Sequence, residues 1–144
     1  MTAIDFTIER LVLKAGNVLK NIRIGDLEKS RLTPAQSETI LFYADNGGKS
    51  IKDLAIHLKV SHQAARKLVD KLKDKTILES VISKKDRRST SISLTSYGQE
   101  ICTTLKQRGT TVGETILSDY SDDEKKLLLE FLRRIEKILM IVSS

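Results

Sequence analysis

Two short amphipathic stretches, each opened by a serine and separated only by Lys59 and Val60, constrain this chain more than any other feature. The first runs from Ser50 through Leu58, with Ile51, Leu54, Ala55 and Leu58 on one face and Asp53 near the positive end of the helix dipole. Ser61 caps the second, in which Ala65, Leu68, Val69 and Leu72 recur at i, i+3, i+4 and i+7 and turn inward. His62, Gln63, Arg66, Lys67 and Lys71 are left on its outer surface. Two short helices across a tight turn, the second basic on its outside, form a helix-turn-helix.

The flanking chain supplies the rest of a winged domain. Residues 77–82 are rich in branched side chains and residues 91–95 alternate apolar with polar, so both read as strands. Between them Ser83-Lys-Lys-Asp-Arg-Arg-Ser-Thr90 is a strongly basic hairpin loop, the tip of a wing. Upstream, apolar residues at helical spacing from 4 to 24 predict one long helix stopped at Gly25. Thr33-Pro34-Ala35-Gln36 is a capping box opening a second helix to about Ala44, and Asp45-Asn46-Gly47-Gly48 is turn chemistry. Downstream, a helix is expected over 96–118. A capping box at Ser121-Asp-Asp-Glu124 starts a last helix ending near Ile141. The expected fold class is mainly α with a small β-wing, in a single domain. Residues 32–95 would form a winged helix-turn-helix lobe, and residues 1–25 and 96–144 a helical lobe. The first and last helices have apolar faces too broad for one small domain to cover, which predicts a homodimer joined through them.

Charge locates the partner. Residues 49–90 hold twelve Lys or Arg against five Asp or Glu, while the other 102 residues hold thirteen against fourteen. The whole excess of the +6 chain therefore sits in the helix-turn-helix and wing, as expected of a polyanion-binding surface on a neutral scaffold. Catalytic chemistry is disfavoured, and no cofactor or metal is expected. His57 and His62 lack metal-ligand companions, and the glycines match no phosphate loop or nucleophile elbow. No apolar run reaches membrane-spanning length, the N-terminal residues lack signal-peptide character, and Cys102 is alone, so a cytoplasmic protein without disulfides is expected.

In three places the residues resemble the MarR family of winged-helix transcription regulators, named for multiple antibiotic resistance. Asp86-Arg87-Arg88 followed by Ile92-Ser-Leu94-Thr95-Ser-Tyr-Gly98 is similar to the family's wing signature. Leu32-Thr-Pro-Ala-Gln36 is similar to the start of its second helix, and Asp53-Leu-Ala55 with Val60-Ser61 to its helix-turn-helix. The resemblance covers nearly the whole chain. It implies a homodimer whose fourth helices enter successive major grooves of double-stranded DNA while the wings reach adjacent minor grooves. The candidate DNA-contacting residues are then Ser61, His62, Gln63, Arg66, Lys67 and Lys71 on the helix, and Lys84, Lys85, Arg87 and Arg88 on the wing. The family pattern pairs Asp86 with Arg88: an arginine is drawn to the negative potential of a narrow minor groove, and the aspartate would hold the guanidinium in one direction. Lys84, Lys85 and Arg87 suit phosphates. Gln63 could pair with adenine; whether Arg66 or Lys67 reads guanine or holds a phosphate stays open. His57 reads as an exposed residue of the supporting helix.

Three departures stand out. Lys59 and Thr76 occupy positions where the family commonly has glycine, and a left-handed backbone at either would cost about 1 kcal/mol or more. Ala65 replaces a larger apolar residue. Members of the family often release DNA on binding a small aromatic or anionic ligand, so the chain is expected to be a ligand-responsive repressor on a palindromic operator. Gly109 and Gly113 would mark a close helix approach, a bend, or simply tolerated glycines. The alternatives are a winged-helix protein-interaction module without DNA binding, and a redox-responsive regulator acting through Cys102. Thiol-sensing members that resemble this chain carry their cysteine in the first helix, where none occurs here.

Overall fold

The computed structural model describes residues 3–82 and 90–143, the side chains of 28 and 29 excepted. The elements follow the order α1 (Ala3–Ser30), α2 (Pro34–Asp45), α3 (Ile51–Leu58), α4 (His62–Asp74), β1 (Leu78–Ile82), β2 (Thr90–Leu94), α5 (Ser96–Ile116) and α6 (Asp122–Val142). They form two compact units, Met1–Leu105 and Lys106–Ser144. No helix among the described residues is long and apolar enough to cross a membrane.

The expected stop of the first helix at Gly25 is wrong by more than a turn. α1 continues to Ser30 and ends where Arg31 takes a left-handed conformation, φ 56°. The Leu32 N–H then reaches back to the Leu27 carbonyl at 3.2 Å, and Leu27 and Leu32 are both buried. This is a Schellman stop, a 6→1 hydrogen bond closed over an apolar pair. Gly25 has no such partner arrangement, and glycine inside a helix costs only about 1 kcal/mol, which a well-anchored end outweighs.

The caps read from the sequence hold the next helices in place. Thr33 accepts from the Gln36 N–H at 3.1 Å while the Gln36 side chain accepts from the Thr33 N–H at 3.0 Å, with Pro34 in the first turn. Ser50 and Asp53 repeat the arrangement for α3, adding a reciprocal half to the dipole role expected of Asp53. The backbone N–H and the hydroxyl of Ser50 both donate to the Asp53 carboxylate and hold it below its ordinary pKa of 3.8. The core of this unit gathers Ile40, Tyr43, Leu54, Val69, Leu72 and Ile92 from α2, α3, α4 and β2. The Tyr43 hydroxyl donates to the Ser50 carbonyl at 3.1 Å, and burial followed by the charge of Asp53 pushes its pKa up to about 12.

β1 and β2 pair antiparallel from Leu78 with Leu94 to Ile82 with Thr90. The 45–48 turn does more than reverse the chain. Gly48, at φ 87°, donates its N–H to the Ile92 carbonyl at 3.0 Å, and the Ile92 N–H donates to the Lys49 carbonyl at 3.1 Å. The turn thereby adds a rung to the edge of β2 facing away from β1, tying the wing to the start of α3.

β2 hands over to α5 at a tight junction. The Thr95 hydroxyl accepts from the Gly98 N–H at 2.9 Å and donates to the Thr76 carbonyl at 2.6 Å, and the Thr95 N–H donates to the Ile77 carbonyl at 3.0 Å. A Cβ on Gly98 would drive into that same Ile77 carbonyl oxygen. By contrast, no described residue of the same unit lies within 4 Å of where a Cβ would sit on Gly109 or Gly113.

In the second unit Ser121 accepts from the Glu124 N–H at 3.1 Å, the Glu124 carboxylate accepts from the Ser121 N–H at 2.9 Å, and α6 follows. α6 buries none of its side chains, and Leu127, Phe131, Leu132, Ile138 and Leu139 stand open to solvent.

Two expected outcomes test this account. Because the obstacle at Gly98 is backbone rather than a movable side chain, Gly98→Ala should destabilise the chain by about 1–3 kcal/mol or more. A lower urea midpoint with an unchanged slope is the readout. For Asp53, a depressed folded pKa means stabilisation present above the unfolded value and lost as pH falls through the folded one. Relative to Asp53→Ala, the native chain should therefore be more stable at neutral pH, with the advantage vanishing as pH drops below about 3.8, in thermal melts across pH.

Candidate nucleic-acid interface

The turn between α3 and α4 sets the direction of the second helix. Lys59 is left-handed, φ 56° and ψ 46°, its N–H reaching Ile56 at 3.3 Å, while the Val60 N–H reaches the Ala55 carbonyl at 3.1 Å. α4 ends the same way. Thr76 is at φ 60° with its N–H on Lys73 at 2.8 Å, and the Ile77 N–H is on Leu72 at 2.9 Å. Both positions flagged in the sequence for lacking glycine thus keep the strained geometry, each closed by a 6→1 bond over an apolar pair. Lys75 donates its ammonium to the Arg31 carbonyl at 3.0 Å, so it joins the ends of α1 and α4.

Ser61 caps α4 by accepting from the Ala64 N–H at 3.0 Å. Ala65, Val69 and Leu72 are fully buried beneath the helix, whereas Ser61, His62, Gln63, Arg66, Lys67 and Lys71 are all exposed. The exposed residues fall into distinct rows. His62, Arg66 and Lys73, at i, i+4 and i+11, run along one flank next to the buried face; Gln63, Lys67, Asp70 and Asp74 occupy the front; Lys71 lies on the other flank. The first row borders a groove of about 410 Å³, closed by Lys52 of α3 and by Thr90 and Ile92 of β2. Lys52 and Lys73 were not singled out from sequence, although the spacing of Lys73 from Arg66 was there to be read.

His57 is exposed and stacks on Phe42, ring centroids 4.8 Å apart, so its role is to cover the core rather than to reach outward. Lys84, Lys85, Asp86, Arg87 and Arg88 lie outside the described residues. Cys102 is buried. Among the described residues no group of three or more His, Cys, Asp or Glu could hold a metal ion.

Residues 32–89, which hold the helix-turn-helix and β1, match the family model described as MarR family. A curated relative, the uncharacterized HTH-type transcriptional regulator YpoP of Bacillus subtilis strain 168, is 23% identical over 136 residues, 94% of this chain and 96% of its own. Streptococcus pneumoniae FabT, solved in complex with DNA, superposes with a TM-score of 0.83 at 21% identity, covering 94% of this chain and 97% of that one. The S. aureus MepR–DNA complex gives a TM-score of 0.76 at 21% identity, covering 94% and 98%. The fold is that of the winged-helix neighbours, and the match to the MarR family model falls on the segment that carries the excess positive charge.

Proposed function

We propose that this chain is a sequence-specific double-stranded DNA-binding transcription regulator that acts as a homodimer on a palindromic operator, in the cytoplasm, as a repressor released by a small aromatic or anionic ligand. The observation that carries the DNA-binding part is the exposed basic surface of α4, held rigidly by caps at both ends in a fold shared with two proteins solved on DNA. A helix of this kind places its N-terminal residues against base edges in the major groove. That gives Ser61, His62, Gln63, Arg66, Lys67 and Lys71 to the major groove and its phosphates. Arg88 goes to the adjacent minor groove with Asp86 orienting it, and Lys84, Lys85 and Arg87 to the backbone.

The homodimer is supported by the open apolar faces of α1 and α6. Ile4, Ile8, Leu11 and Leu19 in the first and Leu127, Phe131 and Ile138 in the last are all exposed in the single chain. Apolar area on that scale marks an interaction surface, and a second copy covers like with like. Residues 32–95 are the DNA-binding lobe in this reading and the terminal helices the dimerisation lobe. A protein-interaction module without DNA binding is disfavoured because α4 keeps its outward cations. Redox control through Cys102 is disfavoured because the thiol is buried away from oxidants.

Electrophoretic mobility shifts with genomic fragments at two salt concentrations test the proposal. Footprinting of a bound fragment should protect an imperfect palindrome whose half-sites lie about one helical turn apart, roughly 34–36 Å; a single asymmetric half-site as the whole protected region contradicts it.

The wing is tested by a double-mutant cycle. Arg88→Ala should weaken operator binding by about 1–3 kcal/mol. Asp86→Ala removes a negative charge near DNA, so simple electrostatics favours tighter binding; if Asp86 orients Arg88, the same change weakens binding and does so only when Arg88 is present. Tighter binding in both backgrounds, without coupling, overturns the wing assignment.

A further inference from the structure

We infer that Arg66, with Lys52, His62 and Lys73, grips the phosphate strand that runs between the two grooves, and that base reading on α4 is left to Gln63 and Lys67. The inference rests on the DNA-binding reading above and divides its contacts in a way the sequence left open.

A helix in a major groove and a wing in the neighbouring minor groove are separated by one sugar–phosphate strand, which must pass over the protein between them. On this chain the surface between α4 and the wing strand β2 is the groove bordered by Lys52, His62, Arg66, Lys73 and Thr90. Among the described residues that line it none is acidic, and three, Lys52, Arg66 and Lys73, carry a positive charge. Lys73 is half-buried, as expected of a long cation that leaves only its head at the rim. The first turn of α3 closes the same groove.

The front of α4 has the opposite character. There Lys67 stands between Gln63 and the carboxylates of Asp70 and Asp74, so the row carries a net charge of −1 and non-specific attraction to phosphate is weak. Glutamine offers a base edge both a donor and an acceptor and lysine can donate to guanine, whereas a flank of cations neutralises phosphates without regard to sequence. Arg66 belongs to the flank by its place in the His62–Arg66–Lys73 row and by its position on the groove wall.

The experiment uses the full chain, a footprinted operator and a random duplex of equal length, titrated by fluorescence anisotropy over a series of salt concentrations. Arg66→Ala, Lys52→Ala and Lys73→Ala should each weaken binding to operator and random duplex by a common factor on the order of tenfold. Each should also make the logarithmic salt slope shallower by about 0.9. Arg66→Lys, which keeps the charge but not the fork, should restore the slope and leave the operator-to-random ratio native. Gln63→Ala and Lys67→Ala should lower that ratio. If Arg66→Ala instead relaxes the preference at one base pair while the slope is unchanged, or Arg66→Lys loses the ratio, Arg66 reads a base and the inference is overturned although the regulator reading stands. If the native chain shows no preference for any genomic fragment over random duplex, it is the functional reading itself that falls, and the inference with it.

Discussion

The first unit depends on one hydroxyl. Thr95 caps α5 through the Gly98 N–H and at the same time bonds the carbonyls of Thr76 and Ile77, the two residues that lead out of α4 into β1. The end of α4, the base of the wing and the start of α5 are therefore fixed at a single point. Three backbone segments can meet there only if nothing projects from Gly98, whose α-carbon lies against the Ile77 carbonyl. A serine could supply the hydroxyl but not the branched packing of threonine, and an alanine at 98 would push the segments apart. The Leu-Thr-x-x-Gly run that gave the sequence its resemblance is thus a geometric requirement of the winged fold. It need not touch DNA to be kept.

Around this junction the chain uses one kind of helix ending three times. Arg31, Lys59 and Thr76 are all left-handed, each followed by an apolar residue whose N–H returns to a carbonyl five residues earlier. The apolar pairs closed in this way are Leu27 with Leu32, Ala55 with Val60 and Leu72 with Ile77. Left-handed backbone at a non-glycine residue costs about 1 kcal/mol or more each time. Two further hydrogen-bonded carbonyls and a buried contact offset that, as far as the pairs are apolar enough. Leu72 and Ile77 are buried to within a few per cent, which explains how a β-branched threonine is tolerated between them. Val60 is 40% exposed and packs less, so Lys59 leans more on its hydrogen bonds.

This accounts for what could be read from the chain and what could not. Helix starts were legible because capping is chemistry between neighbours: Thr33 with Gln36, Ser50, Ser61 and Ser121 with Glu124 all cap as their spacing foretold. Helix ends were less legible because a Schellman stop written without glycine leaves no distinctive residue type. Gly25 was the visible stop, whereas Leu27 and Leu32 were the real one, and their signal was a pair of leucines five apart. The rung between Gly48, Lys49 and Ile92 joins residues more than forty positions apart, which no local pattern reports. On the site, the outward set from Ser61 to Lys71 was correct as a surface, since period 3.6 decides inside from outside. What periodicity could not show is that a second wall, from α3 and β2, turns part of that surface into a groove and separates Arg66 from Lys67.

The open faces of α1 and α6 and the modest size of α4 are two sides of one requirement on the proposed reading. One recognition helix puts three or four side chains on base edges, and each good contact discriminates by about 1–3 kcal/mol. Against a genome of some 10⁶ or more competing sites, a single helix reading only a few base pairs leaves the protein spread over non-specific DNA, to which its cationic flank binds regardless of sequence. Joining two helices rigidly makes the second reading event intramolecular and adds its discrimination at little further entropic cost. The joint must be stiff, because a loose one would let each helix find its own site. In the proposed dimer, apolar faces along helices of 28 and 21 residues would provide such a joint without drawing on the charge that a DNA surface needs. The near-neutral charge of the chain outside residues 49–90 fits the same proposed division: cations on a dimer face would repel the second copy, and the excess is confined to the segment proposed to meet phosphate.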